Sequence, residues 1–161
     1  MAKNYVNNKQ LYAVMTKFHT ECKLAEQNGN EYPKIPDYVG ECLLLIATNL
    51  SNKPNFIGYS FKEEMISDGI ENCVLYIRNF DPSKSKNPFA YFTQIISFAF
   101  IRRIAKEKKQ MYIKYKNYDR MNLADSVEGF DIQTTELNEQ TQEFIRSYEK
   151  SLTKNKKNDT V

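Results

Sequence analysis

The chain has 161 residues, 41% of them hydrophobic, and a formal net charge of +3. That length suits one folded domain and a tail rather than two full domains. The longest apolar run, Leu43 to Ala47, is far too short to span a membrane, and the opening MAKNYVNNKQ lacks the apolar centre of a secretory signal. Three scattered cysteines, Cys22, Cys42 and Cys73, each sit among apolar neighbours and read as buried free thiols in a reducing compartment, which argues against a disulfide-stapled fold.

The first predicted element covers 9–26. Leu11, Val14, Met15, Phe18 and Cys22 fall on one face of a helix, and the Gly- and Pro-containing stretch 28–36 ends it. A second helix begins at Pro36, which suits a first helical turn, and carries Val39, Cys42, Leu43, Ile46 and Leu50 inward. After a loop at 51–60, Ser60 and Glu63 form a capping-box pattern for a third helix. Its expected buried residues are Phe61, Met65, Ile66, Ile70, Val74 and Ile77. Gly69 inside it costs about 1 kcal/mol against Ala, so close packing is its expected role.

Asn79 to Pro88 is a loop punctuated by two prolines. Pro88 opens a long fourth helix through about Lys116. Phe89, Phe92, Ile96, Ala99 and Ile104 make much of one stripe. Ile95, Phe98, Phe100 and Ile101 widen it until the helix is apolar nearly all round, which means a central core helix or one engaged by a partner. Residues 121–133 read as an irregular linker. A last helix, about 134–152, carries Phe144, Tyr148 and Leu152 at four-residue steps, and the tail from Lys154 reads as disordered. The fold class is all-α, with a domain over 1–120 followed by linker, short helix and tail over 121–161.

Catalytic chemistry has no foothold here. His19 is the lone histidine and lies far from any cysteine at metal-ligand spacing; there is no phosphate loop, nucleotide fingerprint or nucleophile triad. No enzyme activity and no cofactor are expected. Charge is more informative. Arg102 to Arg120 holds eight Lys or Arg against two acids, whereas Met121 to Ile145 holds six acids and no cation. Such blocks point to partners with their own charge pattern, or to a solvated surface. In the basic block Arg102, Arg103, Lys106, Lys108, Lys109 and Lys114 can neutralise phosphates, while Tyr112, Tyr115 and Tyr118 offer faces on which bases stack.

Residues 64–109 carry a pattern met elsewhere. Asp68-Gly69, NFDPSK at 79–84, Tyr91-Phe92-Thr93 and Arg102-Arg103 resemble conserved region 2 of bacterial sigma factors. DGIE at 68–71, KNPFAYFTQ at 86–94, RRIAKEKK at 102–109 and NYVNNK at 4–9 are similar to the sigma factors of phage late transcription. The resemblance implies a compact multi-helix fold and a partner, the core RNA polymerase of the host. The third helix would dock on the clamp helices of the largest subunit through Glu64, Ser67, Asp68, Glu71 and Asn72, with Phe80 and Asp81 shaping the turn. An acidic face on that helix suits a basic partner. The fourth helix would read and melt a −10-type promoter element, capturing bases of the non-template strand. Tyr91, Gln94 and Phe98 are the candidates there, beside the cations. The implied location is the cytoplasm of a host cell, at the nucleoid.

The chain also departs from the family. Gln94 and Ile95 stand where many primary sigma factors carry a Trp pair, so the duplex-edge wedge has no counterpart. No helix-turn-helix follows to read a −35 element, and the terminal KKNDTV differs from the tail by which family members bind a sliding clamp. A phage co-activator or clamp therefore stays open as a further partner. Phe144, Tyr148 and Leu152 are a candidate patch for the polymerase flap, and the acidic 125–143 span could thread a basic channel. Two alternatives stand beside the sigma reading: a free-standing helical nucleic-acid-binding protein, and an anti-host factor occupying the sigma-docking site.

Overall fold

The structure, a computed structural model, describes the backbone of residues 5–125 and 132–158 and the side chains of 5–121 and 139–154. Every regular element in it is helical: α1 (Asn8–Asn28), α2 (Asp37–Ser51), α3 (Lys62–Tyr76), a 3-10 turn (Ile77–Asn79), α4 (Pro88–Asp125) and α5 (Ile132–Asn158). No described helix is long and apolar enough to cross a membrane. The chain clusters into two compact units, Met1–Ile104 and Ala105–Val161.

Local chemistry sets the helix ends in the first unit. Asn7 Oδ1 accepts from the backbone N–H of Lys9 and Gln10, capping α1. Gly29, left-handed at φ 67°, closes its other end, with the N–H of Asn30 reaching the carbonyl of Ala25. At the start of α4, Asn87 Oδ1 accepts from Ala90 N at 3.0 Å, and Pro88 follows the cap, where its missing N–H costs nothing.

The apolar faces of α1, α2, α3 and the first half of α4 close on one core. Leu11, Met15, Phe18, Val39, Leu43, Ile46, Met65, Cys73, Phe92, Ile96 and Phe100 are all buried in it. Cys22, Cys42 and Cys73 are free and buried, as expected. Gly69 also does what its position predicts: an ideal Cβ there would stand 3.0 Å from Ile96 Cγ2 and 3.1 Å from Phe100 Cε1, so glycine lets α3 approach α4.

Some expectations are corrected. The Ser60–Glu63 capping box does not form. Phe61 occupies the N-cap position without a side-chain cap, its ring 5.1 Å from that of Tyr59 and packed on the core. Ring burial thus sets where the helix starts. Val74 is 44% exposed, because the buried stripe of α3 runs through Met65, Gly69, Cys73 and Ile77. Two boundaries also move outward. α4 continues past Lys116 to Asp125, since no Gly or Pro intervenes between Pro88 and Gly129. Residues 121–125 and 132–133 are therefore helix; the remainder of the expected linker, 126–131, lies outside the described residues. Residues 154–158 are helix rather than disordered tail, and 159–161 lie outside the described residues. Once packing has nucleated α5, each further residue adds a hydrogen bond, and lysines propagate a helix well and favour its C-terminal end.

The second unit contains an antiparallel helical hairpin. Tyr112 stacks on Tyr148 with ring centroids 4.7 Å apart, Tyr115 meets Phe144 edge-on at 5.4 Å, and Gln142 donates to Asp119 at 2.6 Å. Ile145 and Thr141 are the buried residues of α5 among those described.

Candidate polymerase face and nucleic-acid face

On α3, Glu64, Ser67 and Glu71 are exposed at steps of three and four, forming one stripe. Asp68 and Asn72, one residue round the helix, are half-buried and turned to α4. Asp68 takes a two-pronged bond from Arg103: Nε reaches Oδ2 at 2.6 Å and Nη2 reaches Oδ1 at 2.7 Å. Arg102 Nη2 donates to Asn72 Oδ1 at 2.7 Å. Two residues assigned to the polymerase thus hold two assigned to DNA. A guanidinium fork matched to a carboxylate fixes angle as well as distance.

The turn between α3 and α4 is fastened at several points. Phe80 is buried, 1% exposed, beneath the Tyr91 ring at 5.3 Å. Tyr91 donates its hydroxyl to the carbonyl of Tyr76 at 2.8 Å, and burial pushes its ionisation up. Asp81 Oδ1 accepts from the Ser83 hydroxyl and backbone N–H at 2.7 and 2.9 Å; these bonds, with Lys84 nearby, hold its carboxyl below the ordinary aspartate range. Two long-range bonds tie the turn to α1: Tyr12 Oη donates to Pro82 O, and Phe89 N donates to Asn8 Oδ1. The half-buried Phe89 ring also meets Tyr5 edge-on.

Beyond Tyr91, α4 shows Gln94, Phe98, Ile101 and Arg102 to solvent at helical spacing, with Phe98 52% and Ile101 51% exposed. Phe92 and Phe100 are core. Sequence periodicity had made α4 apolar nearly all round, and burial now separates the two sets. Ile101 joins the exposed strip beside Phe98, although its place in a broad apolar stripe had not distinguished it. On α3, Val74 and Leu75, the latter 63% exposed, extend the outward face below Glu71.

In the second unit Lys106, Lys108, Lys109 and Lys114 are exposed. Tyr112 is engaged: besides stacking on Tyr148, its hydroxyl donates to Glu149 Oε1 at 2.8 Å. Lys116 Nζ reaches the same oxygen at 2.9 Å. These two bonds hold the Glu149 carboxyl below its ordinary range and raise the ionisation of Tyr112 and of Lys116. Phe144 and Tyr148, two of the three flap candidates, are half-buried against tyrosines of α4, while Leu152 is 44% exposed.

No family model matches the chain, and no curated protein does.

Proposed function

We propose that the chain is a promoter-specificity subunit of host bacterial RNA polymerase, of the phage late-transcription sigma class. One observation carries the reading. In the first unit, Glu64, Ser67 and Glu71 on α3 and Gln94, Phe98 and Arg102 on α4 are exposed, while the turn between the two helices is pinned by Tyr91, Asp81 and Asn8. Such an arrangement gives a protein-docking face and a base-capturing face a fixed mutual angle.

In this reading Glu64, Ser67 and Glu71 meet the basic clamp helices of the largest subunit. Asp68, Asn72 and Arg103 set the interhelical angle, and Phe80, Asp81 and Tyr91 set the turn. Phe98 stacks a base extruded from the non-template strand and Gln94 bonds a base edge, with Arg102 and the α4 lysines on phosphates. The chain performs no catalysis of its own and works at the host nucleoid. Leu152 is the flap candidate with exposed apolar surface.

The test is run-off transcription by purified bacterial core polymerase on a late-type promoter, with a pull-down of core enzyme alongside. Binding plus a discrete transcript is expected. Failure to bind core overturns the reading. Binding without transcripts makes the chain an occupant of the sigma-docking site that blocks the host factor.

A further inference from the structure

The sequence offered Tyr112 as a face on which bases stack, and the structure puts another ring there. Tyr148 of α5 lies on it with centroids 4.7 Å apart and planes 26° from parallel. Glu149, the next residue, sets Oε1 2.8 Å from Tyr112 Oη and 2.9 Å from Lys116 Nζ. Lys116 stands one helical turn beyond Tyr112, its ammonium 5.9 Å from the centre of the Tyr112 ring. Ring and cation are thus adjacent on one face of α4, and α5 meets them with a flat ring and an anion. Those are the two groups that a nucleotide brings to a single-strand site, a base on an aromatic and a phosphate on an ammonium.

The cover is lightly fastened. No side chain from Ala105 to Met121 is buried, and of the described side chains of α5 only Thr141 and Ile145 are. The Lys116 and Glu149 side chains are 37% and 45% exposed, and ion pairs so open to water hold weakly. A segment with few buried contacts opens at small cost. The charges round the ring suit a strand once it is bare. Lys108 and Lys109, one turn before Tyr112, are exposed. Of the two acids between Ala105 and Met121, Glu107 lies about 140° round the helix from Tyr112, and Asp119 lies beyond Lys116 and marks the end of the site.

We propose that Tyr112 and Lys116 form a single-stranded DNA site that α5 covers in the free chain, its Tyr148 in the place of a base and its Glu149 in the place of a phosphate. A strand gains the site by displacing α5. This site belongs to the DNA side of the promoter reading, on which it rests.

The experiment measures binding of fluorescent oligo(dT) to the full chain, with helical circular dichroism as the check on folding. Tyr148→Ala, which changes no charge, and Glu149→Gln should each raise the affinity about threefold, and together about tenfold, as the face is uncovered. Adding Tyr112→Ala to the pair should remove most of that gain. Glu143→Gln, which takes a carboxylate from an exposed position of α5, should give a clearly smaller gain than Glu149→Gln. No gain from Tyr148→Ala, a gain that survives Tyr112→Ala, or equal gains from Glu143→Gln and Glu149→Gln would each overturn the proposal. If Tyr148→Ala lowers the helical signal, Glu149→Gln with and without Tyr112→Ala decides alone: a gain that needs Tyr112 supports the covered site, and any other result overturns it. Failure of the wild-type chain to bind core polymerase overturns the promoter reading without touching these ratios. Transcripts from the wild-type chain, with no gain in the variants, overturn only the covered site.

Discussion

An ideal Cβ on Gly69 would press on Ile96 and Phe100, both fully buried and unable to swing into solvent. Overpacking of this kind costs about 1–3 kcal/mol, and the better helix propensity of alanine returns about 1 kcal/mol. Gly69→Ala should therefore destabilise by about 1 kcal/mol, and Gly69→Val by more. Gly40, in α2, is the internal control: nothing lies within 4 Å of its ideal Cβ and its φ is not positive. There the propensity gain is uncompensated, so Gly40→Ala should stabilise by about 0.5–1 kcal/mol. Urea denaturation of both variants tests the sign difference, and equal effects would refute the packing account. Cys73 gives a second check. Its thiol is fully buried and pushed up to about 12 by that burial. A thiol reagent at mild alkaline pH should label it only through unfolding, at a rate that rises with denaturant; prompt labelling of the native chain would contradict the burial. The need for closeness at Gly69 was legible in the sequence, because a glycine inside a helix demands a reason. Its partners were not, since they arrive from a later helix whose angle no periodicity specifies.

Among the links between α3 and α4 are the two-pronged ion pair of Asp68 with Arg103 and the amide contact of Asn72 with Arg102. Asp68 and Arg103 side chains are 27% and 18% exposed, so the bond is screened less than a surface pair. A double-mutant cycle of Asp68→Asn and Arg103→Lys should give a coupling of about 1–2 kcal/mol in stability. Under the proposed promoter function, either change should also lower core-polymerase binding and open-complex formation together, because the pair would set an angle that both proposed faces use. A loss confined to open complexes would mean Arg103 acts on DNA directly. The turn adds a pH dependence. Asp81 has its ionisation depressed in the fold, so its contribution is complete above the ordinary aspartate range and is lost as pH falls through its folded value. Asp81→Asn should flatten the acid limb of the stability curve; an unchanged limb would show that other carboxylates dominate it. The order of the helices, the loop between them and most of the first core were written in apolar spacing and in Asn-Pro. The exact faces were not. Val74 and Cys73 adjoin in sequence, and only the crossing of α3 with its neighbours decides which goes in. The Ser60 cap failed for a similar reason, a local signal losing to the burial of Phe61.

Over the whole chain the net charge of +3 conceals the two blocks that matter, and α5 engages the basic one through Glu149, just beyond the acidic block. Glu149 is committed to Lys116 and Tyr112, whereas Lys106, Lys108, Lys109 and Lys114 remain exposed. The charge alternation was plain in the sequence. That the later helix folds back on the basic one was not, since tyrosines at three-residue steps serve a hairpin as well as they serve stacked bases. The two sets of lysines should differ in solution. Binding to single-stranded DNA should weaken with salt, each neutralised phosphate contributing about −0.7 to the slope of log K against log salt. Lys108→Ala should reduce the slope by about that amount. Lys116→Ala should change it less, because a phosphate must first compete with Glu149 for that ammonium. Glu149→Gln should then steepen the slope by releasing Lys116, and it should loosen the hairpin, since a carboxyl with depressed ionisation stabilises the fold at neutral pH. Fluorescence titrations across a salt series read all three slopes. If Lys116→Ala matched Lys108→Ala, the Glu149 contact would be too weak in solution to withhold a cation from DNA, and the basic block would act as one undivided surface.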